Sequence, residues 1–172
     1  MPVSDLKDLV PAKRGPMTGF VSHFTNRVDA KGRVSIPAPF RAALAKDGFE
    51  GLYCFPSPFQ EAVDAGGNGL TSEIQKRLDA FSTLSLEYDA LSTALYGASE
   101  TLKIDRDGRI VLSEMIRNHT GIDGEVTFVG QGFKFQIWEP VRFAKHRDEA
   151  MKRALAVLSS GGAPGTTAGG AL

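Results

Sequence analysis

The chain is 172 residues long, 42% hydrophobic and 23% charged, and its 20 basic and 20 acidic residues cancel to a net charge of zero. That composition excludes a disordered, collagenous or membrane-spanning chain, because no apolar run nears the roughly 20 residues a bilayer needs. Cys54 is the only cysteine, and His23, His119 and His146 stand far apart, which excludes an internal disulfide framework and leaves no ligand-spaced metal set.

In chain order, residues 1–19 read as a flexible arm. Its opening, MPVSDLKDLVPAKRGP, lacks the apolar centre of a signal peptide, so export is not expected. Ser22 to Val28 is rich in β-formers and runs into an Asp-x-x-Gly-Arg turn, in which Lys31-Gly32 is a two-residue hairpin signal. Val34 to Ile36 continues as a return strand, and Pro37 and Pro39 then open a short helix over Phe40 to Ala45. The loop Gly48 to Gly51 leads into an apolar strand. Ser72-Glu73-Ile74-Gln75 fits a capping box, with Ile74, Leu78 and Phe81 following at helical spacing. A second helix is expected from Leu86 to Tyr96. Thr101 to Ile104 then repeats the strand before a turn, and Asp107-Gly108 is the stronger hairpin signal. EVTFVGQGFKFQIWEP reads as a hairpin with Phe133, Phe135 and Ile137 on one face. Pro140 starts a final helix whose stripe is Ala144, Met151, Leu155 and Leu158. The Gly/Ser/Thr/Ala-rich residues 159–172 cannot bury enough surface to order themselves, and read as a disordered tail.

An internal repeat organises these elements. VDAKGRVSIPAPFR (Val28 to Arg41) aligns without gaps on IDRDGRIVLSEMIR (Ile104 to Arg117), at an offset of 76 residues. GFEGLYCF aligns with GIDGEVTF at an offset of 73, so the first copy has three extra residues after Arg41. Apolar character is kept at Val28/Ile104, Val34/Ile110, Ile36/Leu112 and Phe40/Ile116. Charge is unevenly spread along the chain. Residues 26–46 hold five bases and one acid, a local +4, whereas residues 47–101 hold nine acids and two bases, a local −7.

The two motifs DAKGR and DRDGR in register, together with VTFVGQGFKFQIW, resemble the MraZ family of bacterial regulators from the division and cell-wall gene cluster. The resemblance runs from about Phe20 to Phe143. It implies an α+β fold of two AbrB-type swapped-hairpin units in a double-split β-barrel, with short helices, a helical spacer and a C-terminal helix. On that basis the chain divides into residues 20–70 (first repeat), 71–98 (spacer), 99–142 (second repeat) and 143–158 (C-terminal helix). The family pattern opens its first strand with Phe-Arg-Gly, where this chain has Phe20-Val21-Ser22, and Ser113 replaces the proline equivalent to Pro37.

The resemblance implies a cytoplasmic, nucleoid-associated transcriptional repressor that acts without a cofactor. It would bind short direct repeats in double-stranded DNA as a ring-like homo-oligomer, with no membrane or small-molecule partner. In that role Arg33 and Lys31 are groove or phosphate contacts, since an arginine fork suits guanine or phosphate. The competing reading, an Asp29–Arg33 pair across its own turn, is outweighed at Arg33 by the basic setting. At Arg109 the two readings balance, because Asp107 and Glu114 dilute the field. Asp29 and Asp105 are turn-formers that orient the arginines. Arg41 and Arg117 lie on the short helices, where phosphate contact and an ordinary exposed or paired arginine are equally open. Arg27 is a supporting cation. Trp138, Phe133 and Phe135 belong to core or interface, and Cys54 is an inert core thiol. An enzyme is disfavoured, because there is no nucleophile elbow, phosphate-cradling loop or His/carboxylate constellation. A scaffold or antitoxin-like protein-binding module remains the alternative, but it has no need of the +4 motif.

Overall fold

The computed structural model describes residues 19–161. Nearly all of the expected N-terminal arm, and the tail beyond residue 161, lie outside the described residues.

Each copy contributes the same local elements. The first supplies β1 (His23–Arg27), β2 (Arg33–Ser35), α1 (Ala38–Asp47), β3 (Leu52–Pro56), β4 (Val63–Gly66) and α2 (Asn68–Leu78). The second supplies β5 (Glu100–Leu102), β6 (Arg109–Val111), α4 (Glu114–Thr120), β7 (Glu125–Gly130), β8 (Phe135–Trp138) and α5 (Pro140–Ser159). Between the copies lie α3 (Leu86–Ser92) and a π-helical turn at Thr93–Gly97, where one continuous helix was expected.

The strands form an antiparallel six-stranded sheet, in the order β1-β7-β8-β4-β3-β5, and a two-stranded sheet, β2-β6. Exchanging the copies maps this order onto its own reverse, so the duplication is a pseudo-twofold. Each copy's first strand pairs with the other copy's third: β1 with β7, and β5 with β3. The expected local hairpin between β1 and β2 is therefore corrected. Those strands join through one tight turn and then diverge onto partners in the second copy. The chain is a mixed α+β protein with an antiparallel sheet and several short helices.

The main core lies between the two sheets. Val34, Ile36, Phe40 and Leu44 of the first copy meet Ile110, Leu112, Ile116 and Ile122 of the second, over the inner sheet residues Leu52, Cys54, Phe128, Phe135 and Ile137. The repeat kept these positions apolar because one shared core needs both. Burial pushes the Cys54 thiol up to about 12, so it stays protonated and inert. On the outer sheet face, α2 buries Leu70, Ile74 and Leu78 against Tyr53 and Phe55. At the other end only Phe143 of α5 is buried, against Trp138 and Ala62.

Four local expectations change. α1 extends to Asp47, past Ala45. Ser72–Gln75 is no capping box but helix interior. The first donors of α2, the N–H groups of Asn68 and Gly69, go instead to the Asp47 carboxylate at 2.6 and 2.8 Å. β8 is buried on both faces, while Phe133 lies outside the strand and is exposed. The α5 stripe is not packed: Met151, Leu155 and Leu158 are 69, 67 and 78% exposed, and the helix continues through Ser159. Among the described residues no helix is long and apolar enough to cross a membrane.

Candidate nucleic-acid interface

The β2–β6 sheet pairs Arg33 with Val111, Val34 with Ile110 and Ser35 with Arg109. Side chains alternate along a strand, so Val34 and Ile110 point inward and are buried, while Arg33, Ser35, Arg109 and Val111 share the outward face. Two arginines 76 residues apart in sequence thus become diagonal neighbours, with Cα atoms about 7–8 Å apart for such a pair. Outside the ladder the exchange continues, because the Gly108 carbonyl accepts from the Ile36 N–H and the Gly32 carbonyl accepts from the Leu112 N–H, each at 2.9 Å.

Each arginine is held by the aspartate that opens its turn. The Asp29 N–H donates to the Arg33 carbonyl at 2.8 Å, and the Gly32 N–H to the Asp29 carbonyl at 3.0 Å. Asp29 Oδ1 accepts the N–H groups of Lys31 and Arg33, and Oδ2 accepts Arg33 Nε at 2.7 Å. Asp105 repeats every bond, with Asp107 in the place of Lys31 and a 3.0 Å contact to Arg109 Nε. Only Gly32 and Gly108 have positive φ in these turns, at 77° and 76°. A type I′ hairpin would need it at Lys31 and Asp107 as well, so the turn is a four-residue turn closed by a left-handed glycine. Hydrogen bonds hold both aspartate carboxyls below their ordinary range, the largest coming from the backbone N–H of Arg33 and Arg109 respectively. Both are ionised at neutral pH and fix the arginine direction, so the turn-former reading of Asp29 and Asp105 and the pairing of the arginines both describe the geometry.

The helix arginines cross between copies. Arg41 Nη1 donates to the Asp107 carbonyl at 3.1 Å, and its side chain covers Gly108, where a Cβ would collide with it. Arg117 lies in the same way against Gly32. Arg27 and Lys31 are exposed, Arg27 standing opposite Glu125 in the β1–β7 register.

The chain matches the family model described as "MraZ protein, putative antitoxin-like" over residues 95–156. It is 62% identical to the "Transcriptional regulator MraZ" of Beijerinckia indica subsp. indica over 137 residues, which is 80% of this chain and 84% of that protein. Identity to the protein of the same name is 59% in Methylocella silvestris (80% and 84% covered) and 54% in Xanthobacter autotrophicus (80% and 87% covered). The chain belongs to the MraZ family.

That membership agrees with the resemblance carried by the two D-x-x-G-R turns. Three residues near those turns went unnoticed in the sequence. Arg106 stands exposed in the second turn where the first has Ala30, and Lys103 takes the place of Arg27 in the alignment. Asn26 Nδ2 donates to the Ser35 carbonyl at 2.7 Å and ties β1 to β2. The repeat alignment could have found the first two, whereas the role of Asn26 needs the fold.

Proposed function

We propose that the chain is a sequence-specific DNA-binding transcriptional regulator, and that the outward face of β2–β6 with its two turns meets the duplex. The observation that carries this reading is that Arg33 and Arg109 are diagonal neighbours on one outward face, each oriented by an ionised aspartate. A guanidinium fixed through Nε alone, as at Arg33, keeps its terminal nitrogens for phosphate or guanine and loses little entropy on binding. Arg33 and Lys31 lead the contact, with Arg109 weaker, Asp29 and Asp105 as positioners, and Arg27, Arg41 and Arg117 lending charge. In this reading the exchanged strands β1 and β5 are the swapped-hairpin, double-split barrel arrangement of the family resemblance.

The resemblance carries the target and the assembly. The chain represses the division and cell-wall gene cluster, its own promoter included, by occluding short direct repeats in the cytoplasm at the nucleoid. It does so as a ring-like homo-oligomer, whose repeated turns engage several repeats at once and raise avidity by roughly 10²–10⁴.

The test titrates labelled duplex from the region upstream of its own gene at rising salt, with light scattering on the complex. Log affinity falls linearly with log salt, by about 0.9 per phosphate contacted. A flat salt response, or no binding at any salt, contradicts the reading and favours a protein-binding module of the same fold.

A further inference from the structure

The pseudo-twofold equates Lys31 with Asp107, and the two residues do opposite things. Asp107 Oδ2 accepts Arg109 Nη2 at 3.1 Å, in addition to the Asp105 bond to Nε. Arg109 is therefore clamped by two carboxylates, whereas Arg33 has one, at Nε, and among the described residues its terminal nitrogens make no hydrogen bond. Asp107 also sits at a junction, because its own carbonyl takes Arg41 Nη1. Each terminal nitrogen carries two protons, so Arg33 keeps all four for phosphate or guanine, whereas Arg109 has given one to Asp107 and meets a phosphate with two carboxylates already set against its charge. The charges agree. Residues 29–33 sum to +1, and residues 105–109 sum to zero even though Arg106 stands in place of Ala30. The Asp107 side chain is 74% exposed, so its carboxylate would also meet DNA phosphate directly.

We propose that Asp107 is a specificity-determining residue that withholds Arg109 from the duplex, so that a nearly symmetric face grips DNA through the Arg33 turn and in one direction. This rests on the DNA-binding reading above. A truly twofold face suits an inverted repeat, and a face gripping through one turn suits a directional site. Asp107 works chiefly by repulsion, the element that lowers affinity for the wrong sequence and orientation more than it raises affinity for the right one.

The test uses the full chain and two duplexes, the region upstream of its own gene and a scrambled copy. Asp107→Ala should tighten binding to the scrambled duplex by about five- to tenfold and to the upstream duplex by less, narrowing the ratio between them. The salt slope should steepen by about one as Arg109 gains a phosphate. Arg109→Ala should cost only a few-fold in the unsubstituted chain and clearly more beside Asp107→Ala, and that coupling is a readout that mere unfolding would not give. Lys31→Asp, which builds the same clamp on Arg33, should weaken binding more than Lys31→Ala. Unchanged discrimination in Asp107→Ala, or an Arg109→Ala loss in the unsubstituted chain equal to that of Arg33→Ala, overturns the proposal while leaving the DNA-binding reading standing. Failure of the unsubstituted chain to bind either duplex overturns both.

Discussion

The two copies carry the same run of elements, yet they differ in what they leave uncovered. Inward, they are near-equals: Val34 answers Ile110, Ile36 answers Leu112 and Phe40 answers Ile116 in one shared core. Outward, they part. α2 follows β4 just as α5 follows β8, but α2 lays three apolar residues on the sheet and α5 only one. The turns likewise keep the Asp/Gly/Arg frame and exchange Lys31 for Asp107. Volume and burial constrain the inner positions in both copies, because a hole in one is a hole in the other. The outer positions carry no such constraint, and there the copies became two different surfaces.

The two helices should differ most in what the loss of one leucine costs. Leu78→Ala, which empties a fully buried site under α2, should cost about 2–5 kcal/mol in denaturant unfolding. Leu155→Ala on α5 should stay within about 0.5 kcal/mol. A Leu155 loss matching that of Leu78 would show that the stripe packs against another copy of the chain.

Next come the arginines. Arg33→Ala should lower affinity for the upstream duplex by about 10–100-fold, the worth of one bidentate contact, with an unchanged melting temperature. Arg109→Ala should cost only a few-fold. Equal losses would make the outer faces as symmetric as the inner ones.

The two turns were legible because each depends on residues close in sequence, and the core positions because they recur at a fixed offset. What escaped was non-local. The pattern of Ser22 to Val28 names a strand but not its partner, and β1 passes over β2 for β7. β4, with the sequence Val-Asp-Ala-Gly, is too short and too poor in β-formers to show a period. Ser72 resembled a cap, yet α2 starts four residues earlier because Asp47 reaches across from the end of α1. The stripe on α5 has helical spacing, but spacing alone does not supply a surface to lie against. At the site, both arginine turns could be read from the chain. Their arrival on a single face required the β2–β6 ladder.

The smallest effect concerns how α5 is attached. His146 stacks on Trp138 with ring centroids 4.6 Å apart. Burial holds its imidazole below the ordinary value of about 6.5, with Glu149 opposing and Arg153 adding to the shift. A base whose folded pKa is depressed contributes fully above the unfolded value and loses that contribution as pH falls through the folded one. Fluorescence of Trp138, the single tryptophan, should therefore change as pH drops from about 7 towards 5. His146→Phe should remove that step, and an identical step in the variant would assign it elsewhere.

If the β2–β6 face meets DNA, titrating the labelled chain with the upstream duplex should move the backbone amides of Ala30 to Ser35 most, those of Arg106 to Val111 less, and those of α2 and α3 not at all. Shifts concentrated on α2 and α3, with the two turns unmoved, would contradict that contact.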